Sequence, residues 1–373
     1  MMYSDVFSQL DFEYLKHTIY SSNENDVRRS LAKENFRFQD FLVLLSPAAE
    51  GFLSIMAGRA KSLTDKHFGK VIHLYAPLYL SNECESGCIY CGFNTHKKIE
   101  RKTLSPEEAF RELKALKEKG YQSVLLLTGE NPIKADLSYL VEHITQARDL
   151  FPYVALEIYP ASEEIYAGLA QAGALGLTVY QETYHRDTYQ RVHPSGEKRD
   201  FIRRLDTPDR ALTAGFRRAG IGALLGLYDS RLEAAVLGNH AAYLMKKYWR
   251  SEISISFPRL RNAGAGYQPE YPVNDRALVQ VIFALRCYLP QAGITLSTRE
   301  SADLRDNLIG YGVTMMSAGS RTNPGGYSGS EDAGEQFSVE DTRSVEQVIS
   351  SIRQKGYFPV FKDWDNAFQP LGK

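Results

Sequence analysis

The chain has 373 residues with 44 basic and 45 acidic side chains, a net charge of −1, so no charge excess points to nucleic acid or to a membrane surface. No apolar run approaches the ~20 residues that cross a bilayer, and the N-terminus, Met-Met-Tyr-Ser-Asp-Val-Phe, lacks the basic and apolar regions of a secretory signal. Four cysteines, three of them clustered, fit metal binding in a reducing, cytoplasmic compartment better than a disulfide framework.

In chain order, residues 1–70 read as helical. Ser46-Pro47 has the hydroxyl-then-proline signature of a helix start, and Phe52, Leu53, Ile55 and Met56 then form an apolar face. This segment is either a cap over one end of the next domain or a packing extension, and packing is the expectation. From Val71 the pattern alternates between strand and helix. Strands are expected at 71–80, 123–128, 154–159, 176–180, 221–227, 252–257, 294–297 and 313–317. Ser105-Pro106-Glu107-Glu108 is a capping box before Phe110, Leu113 and Leu116 at helical spacing. Further helices are expected along Leu137, Leu140, Val141 and Ile144, at 162–172, from Thr207-Pro208 to near Gly220, at 232–248, and from an Asn274 cap to Leu289. Eight strands with intervening helices predict a (β/α)8 TIM-type barrel over 71–335, after an N-terminal helical extension (1–70). A C-terminal extension (336–373) adds a closing helix at 339–355 and a tail. A doubly wound open sheet is the alternative, which periodicity does not separate from a barrel.

The most informative stretch is Cys84-Glu-Ser-Gly-Cys88-Ile-Tyr-Cys91. Its Cys-x3-Cys-x2-Cys spacing lets one short loop wrap three thiolates around a metal centre. Three is one short of the four thiolates that usually close an iron–sulfur cluster, which leaves one iron open to a non-protein ligand. A Cys3His zinc site using His96 is the alternative, although no second cysteine pair is present to build the usual structural site. In a barrel the chemistry sits at the C-terminal ends of the strands, and the unusual polar residues do follow strands. Gly129-Glu130 suits close approach of a ligand and acceptance from an ammonium, with a simple turn and a solvated acid as the alternative. Arg259, Arg261, Arg299 and Arg321 fall where arginine would hold a carboxylate bidentately, unless they are surface side chains. Gly220 and Gly222 lie in a strand without the spacing of a dinucleotide loop. Cys287 reads as a small buried hydrophobe, and His185 has no ligand partner at helical spacing.

These residues carry a resemblance. Tyr90 before the last cysteine, followed by Cys91-Gly92-Phe93, resembles the radical S-adenosylmethionine (SAM) signature. Six later stretches are more specific: the run Val179 to His185, Thr207-Pro208-Asp209-Arg210, Ser256 to Arg261, Leu296 to Glu300, Pro324-Gly325-Gly326-Tyr327 and Lys362-Asp363-Trp364-Asp365. Together they resemble the radical SAM aromatic amino-acid lyases, most closely those that cleave tyrosine for the thiamin thiazole. The resemblance implies a [4Fe-4S] cluster on Cys84, Cys88 and Cys91 with SAM on its open iron. It implies Glu130 at the SAM amino group, Tyr90 near adenine, Glu182 near ribose, Arg210 at the SAM carboxylate and Glu157 in the same pocket. Arg321 would hold the carboxylate of L-tyrosine. The implied reaction breaks Cα–Cβ to give 4-cresol and dehydroglycine, with a thiazole synthase as partner and flavodoxin or ferredoxin as electron donor. The tyrosine lyase of hydrogenase maturation carries a second cluster on C-terminal cysteines, and here no cysteine follows Cys287. A tryptophan lyase and a zinc-stabilised, non-catalytic binding protein are the other rivals.

Overall fold

In the computed structural model, which describes residues 1–260, 266–329 and 333–361, eight parallel strands close into a barrel. They are β1 (Val71–Ser81), β2 (Ser123–Thr128), β3 (Tyr153–Glu157), β4 (Gly176–Glu182), β5 (Arg218–Ala223), β6 (Glu252–Ser256), β7 (Gly293–Leu296) and β8 (Met315–Ser317). Each pairs with its successor, and β1 pairs with both β2 and β8, which excludes the open sheet. A ninth strand, β9 (Phe358–Val360), lies parallel to the first residues of β1.

The inward residues explain why this barrel is hollow. Barrel interiors are ordinarily filled by layers of branched apolar side chains. Here β1 sends in Tyr75, Pro77 and Tyr79 and β4 sends in Thr178, Tyr180 and Glu182, while β5 and β6 oppose them with Gly220, Ser254 and Ser256. A Cβ at Gly222 would lie 2.0 Å from Cδ1 of Tyr180. The strand glycines therefore make room for an interior ring.

Several boundaries differ from expectation, each for a local reason. Ser46 caps nothing; Pro47–Phe52 is a 3-10 turn and the α-helix begins at Leu53. Ile55 and Phe110, expected inward, are 54% and 36% exposed. The Thr207 helix stops at Thr213, before Gly215 at φ +110°, so β5 starts at Arg218. Leu224 and Leu225 leave the β5 ladder and donate instead to Glu182 O (2.7 Å) and Pro258 O (2.9 Å). The closing helix is Val345–Gln354, shorter than expected, because Asp341 before it is held by Arg305 and Arg343. Arg261 and Lys362 to Asp365 lie outside the described residues.

The N-terminal helices cover the barrel's flank. Tyr3 stacks on His240 at 3.8 Å and donates to Val236 O (3.2 Å), both on the outer helix Ser230–Lys247. Gln280, on the neighbouring helix Asp275–Tyr288, donates its amide to Leu44 O and Ser46 O, each at 2.8 Å. This is a packing extension and not a lid. Among the described residues no single helix is long and apolar enough to cross a membrane.

Candidate active site

A bulge between Tyr79 and Ser81 ends regular β1–β2 pairing and turns the chain into the cysteine loop. Arg101 braces that loop, donating to Asn82 O (2.6 Å), Phe93 O (2.9 Å) and Asn94 O (2.8 Å). Asn94 in turn donates to Cys88 O at 2.9 Å. From outside, Gly87 N and Ile89 N bond Ser195 O (3.2 Å) and Val192 O (3.1 Å). Gly129, read as a place for ligand approach, instead admits the loop itself: a Cβ there would lie 2.2 Å from Glu83 O.

Cys88 is buried, while Cys84 and Cys91 are half-buried. Burial pushes all three thiols up, Cys91 to about 11; the Glu130 charge adds to it at Cys84, the Cys91, Glu130 and Cys84 charges at Cys88 and the Cys84 charge at Cys91, with Lys198 opposing throughout. Buried, facing thiols of this kind become thiolates when a cationic centre offsets their repulsion. Among the described residues no three His, Cys, Asp or Glu side chains converge as ligands of one ion. A four-iron cluster, gripped at separate corners, fits this spread better than zinc with its ligands ~2.0–2.3 Å from one point. His96, the alternative fourth zinc ligand, directs Nε2 to Ser195 Oγ at 3.5 Å.

Beside the thiols lies a buried ion network. Glu130 Oε1 accepts from Arg204 (2.7 Å) and lies 3.6 Å from Lys198 Nζ; Lys198 pairs with Glu182 at 2.8 Å. Burial alone would raise the Glu130 carboxyl, but the Arg204 and Lys198 charges overcome it and hold the group below its ordinary range. Glu130 Oε2 is buried with no hydrogen-bond partner, so one strong acceptor remains for a ligand ammonium. Glu182 is the one described non-glycine residue with positive φ, at 70°. A bulge between Tyr180 and Glu182 accompanies it, and the strain, about 1–3 kcal/mol, turns the carboxylate toward Lys198.

The barrel mouth opens beside this network. Tyr75, Tyr79, Tyr90, Cys91, Tyr180 and Phe337 contribute to its wall, with Glu157, Glu182, Lys198 and Arg299 as the charged groups. Burial pushes the Glu157 carboxyl up to about 7, and the Glu182 charge adds to the effect. Residues 333–341 form a strap across one side. In it Gln336 O accepts from Gly92 N (3.0 Å), Gln336 N donates to Thr322 O (3.0 Å), and Gln336 Oε1 accepts from Tyr79 OH (2.7 Å).

Of the residues picked out by sequence, Tyr90, Cys91, Glu157 and Glu182 line this cavity, with Glu130 behind them. Arg210 does not. Its guanidinium donates to Ala161 O (3.0 Å), Arg203 O (2.6 Å) and Thr207 Oγ1 (2.9 Å). Arg321 is exposed and faces a neighbouring depression beside Lys119 and the start of helix Val345–Gln354. Arg259 is bound structurally to Glu300 and Asp275, and His185 caps helix Arg186–Val192 while stacking on Tyr228. Lys198, Arg204 and the strap residues Gln336 and Phe337 carry no motif and were not legible from spacing.

A hollow barrel with three thiols of one short loop at its mouth defines a radical SAM protein. A Radical SAM superfamily model matches residues 78–236, and a Biotin and Thiamin Synthesis associated domain model matches 256–358. The chain is 42% identical to the 2-iminoacetate synthase of Escherichia coli (strain K12), over 98% of this chain and 97% of that one. The Salmonella typhimurium (strain LT2) 2-iminoacetate synthase is 40% identical with the same coverage. The FeFe-hydrogenase maturase HydG from Carboxydothermus hydrogenoformans superposes with a TM-score of 0.89 at 34% identity, over 97% of this chain and 85% of that one. The chain belongs to the 2-iminoacetate synthase family. The cofactors of its superfamily are a [4Fe-4S] cluster and SAM, and the zinc-stabilised, non-catalytic alternative falls away.

Proposed function

We propose that this protein cleaves the Cα–Cβ bond of L-tyrosine to 4-cresol and 2-iminoacetate, the latter for a thiazole synthase. The reading includes a cytoplasmic setting and a flavodoxin or ferredoxin as electron donor. The observation that carries it is one cavity in which Cys91 and Tyr90 share a wall with Tyr75, Tyr79 and Tyr180, a chamber suited to an aromatic amino acid next to the cofactor loop.

The cluster on Cys84, Cys88 and Cys91 and its SAM supply, when bound, a 5′-deoxyadenosyl radical. The chain's own residues position and protect. In this reading Glu130 receives the SAM ammonium on its free Oε2, Tyr90 lies beside adenine and Glu182 beside ribose. Lys198, the cation in the wall on this side, takes the place implied for Arg210. The strap and the aromatic wall keep water from the reacting centre.

For the substrate carboxylate we assign Arg321, which has no ion pair among the described residues and sits between Ser320 and Thr322, both lining the cavity. A second reading is favoured by Arg299, which lines the cavity directly with its guanidinium 3.5 Å from the Phe337 ring centroid. A charge-assisted hydrogen bond contributes about 1.5–3 kcal/mol, so loss of the true anchor lowers kcat/KM about 10- to 100-fold per bond. Arg321→Ala is expected to show that loss with cluster content unchanged. Normal cresol formation by it, together with failure of Arg299→Ala, transfers the role to Arg299. The activity itself is tested by incubating reduced, reconstituted protein with SAM and tyrosine and assaying 4-cresol and glyoxylate, the hydrolysis product of 2-iminoacetate. Turnover of tryptophan in preference to tyrosine would overturn the reading.

A further inference from the structure

We infer that Glu157 recognises the phenol hydroxyl of the substrate and so sets the preference for tyrosine over phenylalanine. The inference rests on the tyrosine reading above and gives Glu157 a place on the substrate side of the cavity, apart from the cofactor groups.

Glu157 is the last residue of β3 and shares the inward register of Tyr153 and Ala155. Its carboxyl enters the aromatic chamber, where it is felt by Tyr75, Tyr79 and Tyr180. Of the other polar groups of that wall, the Ser320 hydroxyl is buried without a partner, Arg299 lies over the Phe337 ring, and the remaining carboxylate and two of the phenols are paired. Tyr75 and Tyr180 lie beside the Ser317 and Ser256 hydroxyls, which lower their phenols against the effect of burial. Tyr79 bonds Gln336, Tyr90 bonds His193, and Glu182 is paired with Lys198. The Glu157 backbone pairs with β2 at Leu127, but no hydrogen bond or ion pair joins its carboxyl to any described residue. Among the described residues that line the chamber it is the one carboxylate without a cation or donor in contact.

An unpaired carboxylate in a low-dielectric wall is unfavourable until a donor reaches it, and its raised pKa reflects that. An aryl hydroxyl is such a donor. The aromatic wall by itself admits phenylalanine as readily as tyrosine, because apolar contacts discriminate weakly between rings of the same shape. A buried acceptor does discriminate: tyrosine satisfies it, and phenylalanine leaves it dry and unpaired. Glu130 and Glu182 pair directly with Lys198 and Arg204 beside the cysteines, whereas those two cations and Arg299 act on Glu157 through their charge alone.

The test uses reconstituted holoenzyme with SAM and no reductant, so that binding is measured without turnover. Tyrosine, phenylalanine and SAM affinities are compared for the native protein, Glu157→Leu and Glu157→Gln. Glu157→Leu is expected to bind tyrosine about 10- to 100-fold more weakly, to bind phenylalanine at least as well as the native protein, and to keep its SAM affinity. Glu157→Gln, which retains an acceptor oxygen of the same shape, is expected to fall between. An unchanged tyrosine-to-phenylalanine ratio in both variants overturns the inference. Loss of SAM affinity with the ratio intact also overturns it, by making Glu157 a cofactor residue. A native protein that binds tryptophan and not tyrosine refutes the substrate reading itself, a result visible before any variant is made.

Discussion

Two buried carboxyls, Glu130 and Glu233, show how much a neighbour decides. Glu130 has two cations beside it and stays below the ordinary carboxyl range. Glu233 has none in contact; it accepts from the Thr183 hydroxyl and Tyr184 N, pinning the turn after β4, and burial raises it to about 7. An unfolded glutamate titrates near ~4.3. Between that value and 7 the folded protein holds a proton that the unfolded chain has released. The resulting stabilisation is complete below ~4.3 and is lost as pH rises through 7. Glu233→Gln should therefore gain on the native protein by up to about 3 kcal/mol between pH 5 and pH 8, read from denaturant midpoints. A difference that does not change with pH would show that the carboxyl is not buried in this way. His240, held low at about 3 by burial, weakens both proteins below about pH 6.5 and cancels in the comparison. The resemblance implies Arg210 at the SAM carboxylate; its guanidinium bonds Ala161 O, Arg203 O and Thr207 Oγ1, and it is Arg204, six residues earlier, that reaches Glu130. Both lie on short helices after a strand, and spacing does not reveal which way such a helix turns.

At the scale of elements, the barrel is built around what its strands omit. Gly222 lacks a side chain where the Tyr180 ring lies, so Gly222→Ala forces the ring into the cavity or the strand apart. We expect about 1–3 kcal/mol of destabilisation and weaker tyrosine binding, measured by thermal melts and by titration with substrate. A normal affinity would mean that Tyr180 does not shape the chamber. The N-terminal helices make the opposite case. Gln280, buried, joins the ends of two segments by donating to Leu44 O and Ser46 O. Gln280→Ala leaves Leu44 O without its donor, while Ser46 O keeps Ala49 N at 3.1 Å, and should cost about 1–3 kcal/mol, with kcat and KM unchanged in whatever fraction is folded. A change in KM would connect this flank to the site, contrary to the packing described here.

Across the whole molecule, the strap brings together residues 92, 322 and 336, and the cofactor loop and the substrate cavity share it. Gly92 is the contact that permits this, since a Cβ would lie 2.2 Å from Glu335 O and 2.5 Å from Gln336 O. Backbone atoms cannot swing aside as a flexible side chain would, so Gly92→Ala should lift the strap while leaving the three thiols in place. Iron content is expected to match the native protein. The ratio of 5′-deoxyadenosine to 4-cresol should rise about tenfold, because a misplacement near 1 Å is enough to uncouple the reacting groups. An unchanged ratio would remove the strap from the mechanism. The amino-acid order by itself determined the strand count and the thiol loop, and put Glu130, Glu157 and Glu182 at the ends of strands, where Glu157 and Glu182 do line the cavity. These depend on local spacing and on the rule that barrel chemistry follows the strands. Only the tertiary structure decided that Lys198 and Arg204 are the cations that pair with Glu130 and Glu182, that Arg321 stands outside the cavity and Arg299 within it, and that residue 336 ties Tyr79, Gly92 and Thr322 together. Those outcomes depend on how loops fold back over distances in sequence that no periodicity encodes, and on which buried charge finds an opposite one to offset its lost hydration.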